Sequence, residues 1–362
     1  MSKPEHKTLP KILIDLRARP KTGIYRYSCK ILDEKEYPCE KYHDYLLNYG
    51  KAPKVSRFKA ILRMLHEQIV LPFILKRRKI ALFHCTKNFG LPLFTFGTKR
   101  VLTLLDIIPL RFPDYSPNFI VRGYYYLNNL ISCLAADKII CISHFTAEEL
   151  SLLLPFVRKK IVVSYLGVDF DHFNKTPIRD VSIPGLDPKK KYLLTIGGTE
   201  SRKNTRVVLD LFTSGQLPDY DLVVIGDEWK GRQFTDEQRR NPRIHLLGRV
   251  AEKTLVSLYR NAEVFIFPSI YEGFGLPPLE AMAAGTPVIA AKASCLPEIL
   301  GEAAEWFNPT RSGDLLRAIR TVLNDPARQR ELVRRGIERA KFYTWENTIQ
   351  ETLEVYHSLL EP

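Results

Sequence analysis

Short apolar runs recur along the chain, at residues 12–15, 80–84, 101–105, 139–142, 161–164, 192–196, 222–225, 244–247, 264–267 and 288–291. Each is followed by a longer stretch whose apolar positions fall at helical spacing. Strands buried on both faces read as continuous apolar runs, so the alternation predicts parallel sheets covered by helices. Ten strands are too many for one comfortable sheet. Between the fifth and sixth runs, residues 167–191 hold Pro177, Pro184, Gly185 and Pro188 and few apolar side chains, which reads as a linker. The pattern predicts an α/β protein of two Rossmann-like domains facing across a cleft, 1–172 and 173–344. Trp345, Ile349, Leu353, Tyr356 and Leu360 then lie near helical spacing and predict a C-terminal amphipathic helix. Periodicity leaves open whether 345–362 packs back on the N-terminal domain.

Composition agrees with two cores: 362 residues, 45% of them hydrophobic. The net charge of +14 is unevenly spread, with 30 Lys and Arg against 16 Asp and Glu in residues 1–180 and 24 against 24 in 181–362. No apolar run approaches the roughly 20 residues that span a bilayer, and the first ten residues lack the apolar segment of a secretory signal. A cytoplasmic chain is the expectation. Cys29, Cys39, Cys85, Cys133, Cys141 and Cys295 form no C-x-x-C pair and are expected as reduced, mostly buried thiols; the eight His show no paired metal spacing. No metal site is expected.

Open α/β sheets bind ligands at the carboxyl ends of their strands, so the strand-to-helix loops hold the candidate chemistry. The run 264–267 leads into Ser269, Ile270, Tyr271, Glu272, Gly273, Phe274, Gly275, Leu276, Pro277 and Pro278. Two glycines let the backbone approach a ligand, and a helix starting near Leu276 offers free N–H groups; together they suit a pyrophosphate. Glu280, one turn into that helix, can accept two hydrogen bonds from vicinal ribose hydroxyls. A turn that merely packs helix on sheet would leave two acids, two glycines and a Pro pair unexplained.

Glu272 and Glu280, separated by seven residues that include Gly273, Phe274, Gly275, Leu276 and Pro277, and followed by Ala284, Gly285, Thr286, Pro287, Val288, Ile289 and Ala290, resemble the donor-site motif of the retaining GT-B glycosyltransferases of family 4. The similarity extends over most of the chain and is densest between Tyr192 and Glu305. It implies sugar transfer from a nucleotide diphosphate with retention of anomeric configuration, with no cofactor and no required metal. The first Glu would contact the donor sugar and the second the ribose.

Three more loops fit that frame. After 192–196 come Gly197, Gly198, Thr199, Glu200, Ser201, Arg202, Lys203 and Asn204. Two adjacent cations at a helix start are placed to neutralise a departing diphosphate, although such a pair is also an ordinary solvated helix end. The segment is similar to the family's Glu-Pro-Arg-Lys-Asn, with Ser201 for Pro, which gives Arg202 and Lys203 the phosphate role. After the first run, Gly23 opens a helix and lets a diphosphate or sugar reach the backbone; it looks like the family's Gly-Ile-Gly-Arg-Tyr turn with Tyr25 for the second Gly. The run 101–105 ends at Asp106, where the family often carries His-Asp and this chain has Leu105. Asp106 would orient the acceptor hydroxyl or contact the sugar, or else cap the next turn. Smaller likenesses place Val250 where the family wraps the base. Ser143 reads as a helix cap. Asp169 and Asp171, at the start of the linker, do not read as metal ligands.

Between residues 54 and 79, Lys54, Arg57, Lys59, Arg63, Lys76, Arg77, Arg78 and Lys79 meet one acid, Glu67, while Phe58, Ile61, Leu62, Leu65, Ile69 and Phe73 fall near a helical stripe. Either the stripe packs on the first sheet with its cations solvated, or the segment binds an anionic membrane surface or a phosphate-bearing acceptor. The functional expectation is a hexosyltransferase acting on a glycan or lipid-linked saccharide, peripheral at the inner membrane face, with no nucleic-acid partner. By resemblance the donor is guanosine diphosphate mannose first, with uridine diphosphate sugars or deoxythymidine diphosphate rhamnose open. The alternatives are a GT-B-like nucleotide-sugar epimerase, for which no proton-transfer groups can be assigned, and a non-enzymatic basic membrane- or polyanion-binding protein, which leaves Glu272 and Glu280 without a role. A dehydrogenase is disfavoured because no G-x-G-x-x-G follows the first run.

Overall fold

The computed structural model describes residues 9–16, 23–33, 38–42, 57–111, 119–177, 183–187, 190–198, 200–226, 235–311 and 313–361. Among them lie twelve strands in two parallel six-stranded sheets. The first contains β1 (Ile12–Asp15), β2 (Cys39–Tyr42), β3 (Leu82–Cys85), β4 (Lys99–Leu104), β5 (Lys138–Cys141) and β6 (Ile161–Val163), in the order β2-β1-β3-β4-β5-β6. The second contains β7 (Tyr192–Ile196), β8 (Asp221–Ile225), β9 (Ile244–Gly248), β10 (Val264–Phe267), β11 (Val288–Ala291) and β12 (Ala304–Phe307), in the order β12-β11-β10-β7-β8-β9. All ten expected strands are present. The two that the apolar pattern missed, β2 and β12, are edge strands carrying half-exposed Glu40 and Glu305, so neither reads as a continuous apolar run.

Each sheet reverses direction of growth once. In the second, β8 and β9 add to one side of β7 and then β10 returns to its other side, which opens a switch point between the loops after β7 and β10. The first sheet has the same reversal between β1 and β3. Doubly wound sheets bind ligands at such points, because the flanking helices leave on opposite faces.

The chain divides into two units, 1–166 with 345–362, and 167–344. The division falls six residues before the expected boundary at 172, and the expected linker is not one throughout. Its first part forms a helix, Phe170–Lys175, in the second unit. Phe173 is fully buried there, edge-on to Tyr259, and Asn174 donates to the Ala283 carbonyl. The C-terminal helix, Trp345–Leu360, belongs to the first unit. Its Tyr356 hydroxyl lies 2.6 Å from His84 Nδ1, and Thr348 donates to the Tyr165 carbonyl. Complete burial drives the His84 imidazole down to about 3, against a small opposing effect of Asp15. Ser143 caps the helix His144–Leu153 by accepting from the Thr146 amide. Four cysteines are buried, Cys29 and Cys39 are half-buried, and all six are free thiols.

The basic segment does not lay its whole apolar stripe on the first sheet, the packing that would leave its cations solvated. Two helices, Arg57–Leu65 and Leu71–Arg77, run on through one π-helical turn, His66–Val70. One charged pair faces inward along with Leu71, Pro72 and Leu75: Arg63 and Glu67 are buried and paired, and Lys87, just past β3, lies 3.8 Å from Glu67 and 3.6 Å from Asp15 at the end of β1, whereas Lys76 and Arg77 are exposed. The apolar stripe faces outward, with Ile61, Leu65, Ile69 and Phe73 all exposed. Lys54 and the side chains of Arg57, Phe58 and Lys59 lie outside the described residues.

Candidate active site

The loop after β7 carries the two cations. Gly197 leaves the sheet where no other residue fits, since a Cβ there would meet Thr205 Oγ1 at 2.4 Å. Ser201, Arg202 and Lys203 form a single 3₁₀ turn, and Asn204, at φ 48°, reverses the chain into the helix Thr205–Thr213. The Arg202 carbonyl accepts from the Ile270 amide at 2.8 Å and the Ser269 hydroxyl at 3.2 Å, which ties this turn to the loop after β10. The Arg202 side chain donates to the Tyr271 carbonyl at 3.2 Å. The two loops across the switch point are thus fastened together through main-chain atoms before any ligand is considered.

Glu272 is where they converge. One carboxylate oxygen, Oε1, lies 2.9 Å from Lys203 Nζ, 3.2 Å from Arg202 Nη1 and 2.8 Å from Ser269 Oγ, and the Glu272 amide donates to Ser294 Oγ. Burial on its own would raise the carboxyl pKa. The charges of Lys203 and Arg202, with hydrogen bonds from Lys203 and Ser269, outweigh it and hold the group below its usual value. The result is an ionised carboxylate beside two cations, an arrangement that can exchange one anion for another. Arg202 also pairs with Glu200.

Gly273, Phe274 and Gly275 lead into the helix Leu276–Ala283. Gly275 has φ +96°, and a Cβ there would meet Leu296 at 2.8 Å, so the turn requires glycine. Phe274 is buried edge-on to Tyr343, and its carbonyl accepts from the Cys295 thiol, which burial and the nearby Glu272 and Glu298 charges keep protonated. Glu280 is buried one turn into the helix, where Tyr259 donates to its Oε2 at 3.3 Å. Tyr259 is in turn fixed by Thr286, which donates to its carbonyl. Val250 is half-buried beyond β9, two strands from β7.

Gly23 and Asp106 belong to the first unit. Gly23 opens the helix Gly23–Leu32, while the preceding residues 17–22 lie outside the described residues. Asp106 Oδ1 accepts from Asn88 Nδ2 at 3.0 Å and from the Ile108 amide at 3.1 Å, so it caps the turn that follows β4. Sequence reasoning missed Ser269, Ser294, Tyr259 and Asn88. Ser269, Ser294 and Asn88 sit in loops past strand carboxyl ends, which is the signal that would have found them; Tyr259 lies inside a helix and gives none.

With this geometry in place, comparison with known proteins assigns the class. The profile of glycosyl transferases group 1 matches residues 179–340, and that of Glycosyltransferase Family 4 matches 32–172. O-antigen chain mannosyltransferase B of Escherichia coli is 31% identical over 273 residues, 72% of this chain and 71% of that protein. The serotype-specific mannosyltransferase WbdA of the same organism is 27% identical over 278 residues, which are 73% of this chain but 34% of that longer protein. Among solved structures, Anabaena Alr3699/HepE in complex with UDP-glucose superposes with a TM-score of 0.69 over 96% of this chain and 99% of that one, at 17% identity. The two parallel sheets with their helices are the GT-B fold. The chain belongs to the group 1 glycosyltransferases and is a glycosyltransferase.

Proposed function

We propose that this glycosyltransferase moves a hexose, mannose first among the candidates, from a nucleotide-diphosphate sugar to a glycan or lipid-linked saccharide during polysaccharide assembly. The observation that carries the reading is the convergence of Arg202 and Lys203 on Glu272 at the switch point of the second sheet. The names of the mannosyltransferase relatives support the sugar, and the UDP-glucose bound by the Anabaena protein supports the donor class.

Transfer proceeds at one face of the sugar with retention. The bond from the anomeric carbon to the phosphate oxygen breaks as the acceptor oxygen bonds on the same side, and the acceptor proton passes to the departing phosphate oxygen. Arg202 and Lys203, with the N–H groups from Gly273 to Leu276, stabilise the diphosphate charge, so no divalent ion is required. Glu272, released from its cations by the phosphates, accepts hydrogen bonds from the sugar. Glu280 accepts from the ribose, Val250 lies by the base, Gly23 lets the diphosphate or sugar approach the backbone, and Asp106 orients the acceptor hydroxyl. The enzyme works at the cytoplasmic face of a membrane, drawn to anionic lipid by the basic segment.

Incubation with guanosine diphosphate mannose, uridine diphosphate glucose and deoxythymidine diphosphate rhamnose in the presence of a chelator tests this. Proton NMR of the product reads sugar, linkage and anomeric configuration together. Inverted product, or turnover only with added metal, refutes the corresponding part.

A further inference from the structure

An exposed helix of a globular protein normally turns its charges to water and its apolar stripe to the core. Between Ile61 and Phe73 a line of apolar side chains instead turns to water, and the reason is visible. The inner face holds the ion cluster of Arg63, Glu67, Lys87 and Asp15 at the switch point of the first sheet, followed by buried Leu71, Pro72 and Leu75. What remains for the outer face is Ile61 at 58% exposure, Leu65 at 48%, Ile69 at 54% and Phe73 at 60%, spaced four apart along one line. The line continues off the helix. Phe73 meets the ring of Phe96 with centroids 5.5 Å apart, and Phe96, Phe94 and Leu93 are themselves exposed. Among the described residues nothing covers this ridge.

The charges beside it indicate what does. Lys76 lies 4.4 Å above the Phe96 ring, and Arg77, Arg78 and Lys79 follow it, all exposed. The only acid between residues 54 and 79, Glu67, is buried. A second copy of this chain would bring the same cations against themselves, which disfavours self-pairing. An anionic lipid surface offers both halves of the match: acidic headgroups for the cations and an acyl boundary for Ile61, Leu65, Ile69 and Phe73.

We propose that the helical ridge from Ile61 to Phe73, extended by Phe96, inserts into the interface of an anionic bilayer, with Lys76 and Arg77 holding headgroups at its end. Insertion presupposes the peripheral association proposed above, but differs from it in mechanism, because electrostatic attraction alone is screened by salt whereas buried apolar area is not. The placement also brings the carboxyl end of β1 and β3, reached through Arg63 and Glu67 on the inner side of the same helix, close to that surface.

The test is co-sedimentation of the full chain with phosphatidylglycerol-containing vesicles and with phosphatidylcholine vesicles, at about 0.15 M and about 1 M NaCl. The variants are Ile69→Ser/Phe73→Ser and Lys76→Glu/Arg77→Glu. The exposed positions make both pairs tolerable for folding, checked by an unchanged thermal melt. The parent is expected to bind the anionic vesicles and keep part of that binding at high salt. The serine pair should lower partitioning roughly tenfold or more at both salts, and the glutamate pair should lower it chiefly at low salt. Binding that vanishes at high salt and is unchanged in the serine pair overturns insertion while leaving electrostatic association standing. Absence of binding to any vesicle overturns both. A parent that self-associates without lipid, and becomes monomeric in the serine pair, makes the ridge a contact between copies and overturns the proposal.

Discussion

Replacing Lys203 by Ala removes one of the two cations that face Glu272, and its consequences can be worked from the distances. At 2.9 Å and an effective dielectric near 20, the pair attracts by about 6 kcal/mol before desolvation is counted. Arg202 at 3.2 Å and Ser269 at 2.8 Å stay in place, so the carboxylate is not abandoned and the loop keeps its main-chain ties. Leaving-group stabilisation is therefore weakened rather than abolished, by the roughly 3–4 kcal/mol typical of losing one preorganised charge-stabilising group, or about 10²–10³ in kcat. The acid limb of the pH profile should move as well. Lys203 helps hold the Glu272 carboxyl low against a burial effect that raises it, so without Lys203 protonation occurs at higher pH. Nucleoside diphosphate release at saturating donor measures the first quantity, and kcat/KM for the donor across the pH range, which reports the donor-free enzyme, measures the second. A variant that turns over within a few-fold of the parent, with its acid limb unmoved, would refute the assigned role.

Three other outcomes follow from the structure. Gly275→Ala places a Cβ 2.8 Å from Leu296 at φ +96°, and should cost about 1–3 kcal/mol, read as a lowered melting temperature of the second unit. His84 is held neutral by burial with its pKa near 3, below its ordinary 6.5. The first unit's stability is therefore complete above 6.5 and falls by up to about 1.4 kcal/mol per pH unit below it, until the folded value is reached. His84→Gln should flatten that slope in denaturant titrations between those limits, and an unchanged slope would exclude His84 as its source. Glu280→Gln should raise donor KM roughly tenfold with kcat little changed if the carboxylate holds the ribose; a fall in kcat at constant KM contradicts that role.

What the sequence disclosed and withheld follows physical lines. Central strands are buried on both faces and announced themselves as apolar runs. Of the edge strands, β6 and β9 keep apolar runs and were read, whereas β2 and β12 are interrupted by Glu40, Lys41 and Glu305 and were not. The acids and cations of the second unit were legible because each sits within a few residues of a strand end. That Lys203 Nζ donates to Glu272 Oε1, 69 positions away, depends on β10 returning beside β7, which no local pattern states. Ser269 and Ser294, which complete the carboxylate's surroundings, are small polar residues common in any loop. The segment 57–77 shows the limit most clearly. Its stripe and its charges were both visible, but that Arg63 and Glu67 turn inward, and Ile61, Leu65 and Ile69 outward, depends on Asp15 and Lys87, tens of residues away. The stretch after Gly167 read as a linker because its buried anchors, Val168, Phe173 and Ile183, stand apart among polar residues.

A crystal structure with an intact nucleotide-diphosphate hexose bound tests the central claim most directly. The account predicts diphosphate oxygens within hydrogen-bond distance of Arg202 and Lys203, and sugar hydroxyls donating to a Glu272 carboxylate that has let go of both cations. A donor whose phosphates lie away from the loops after β7 and β10, with Glu272 still clamped by Arg202 and Lys203, would contradict it.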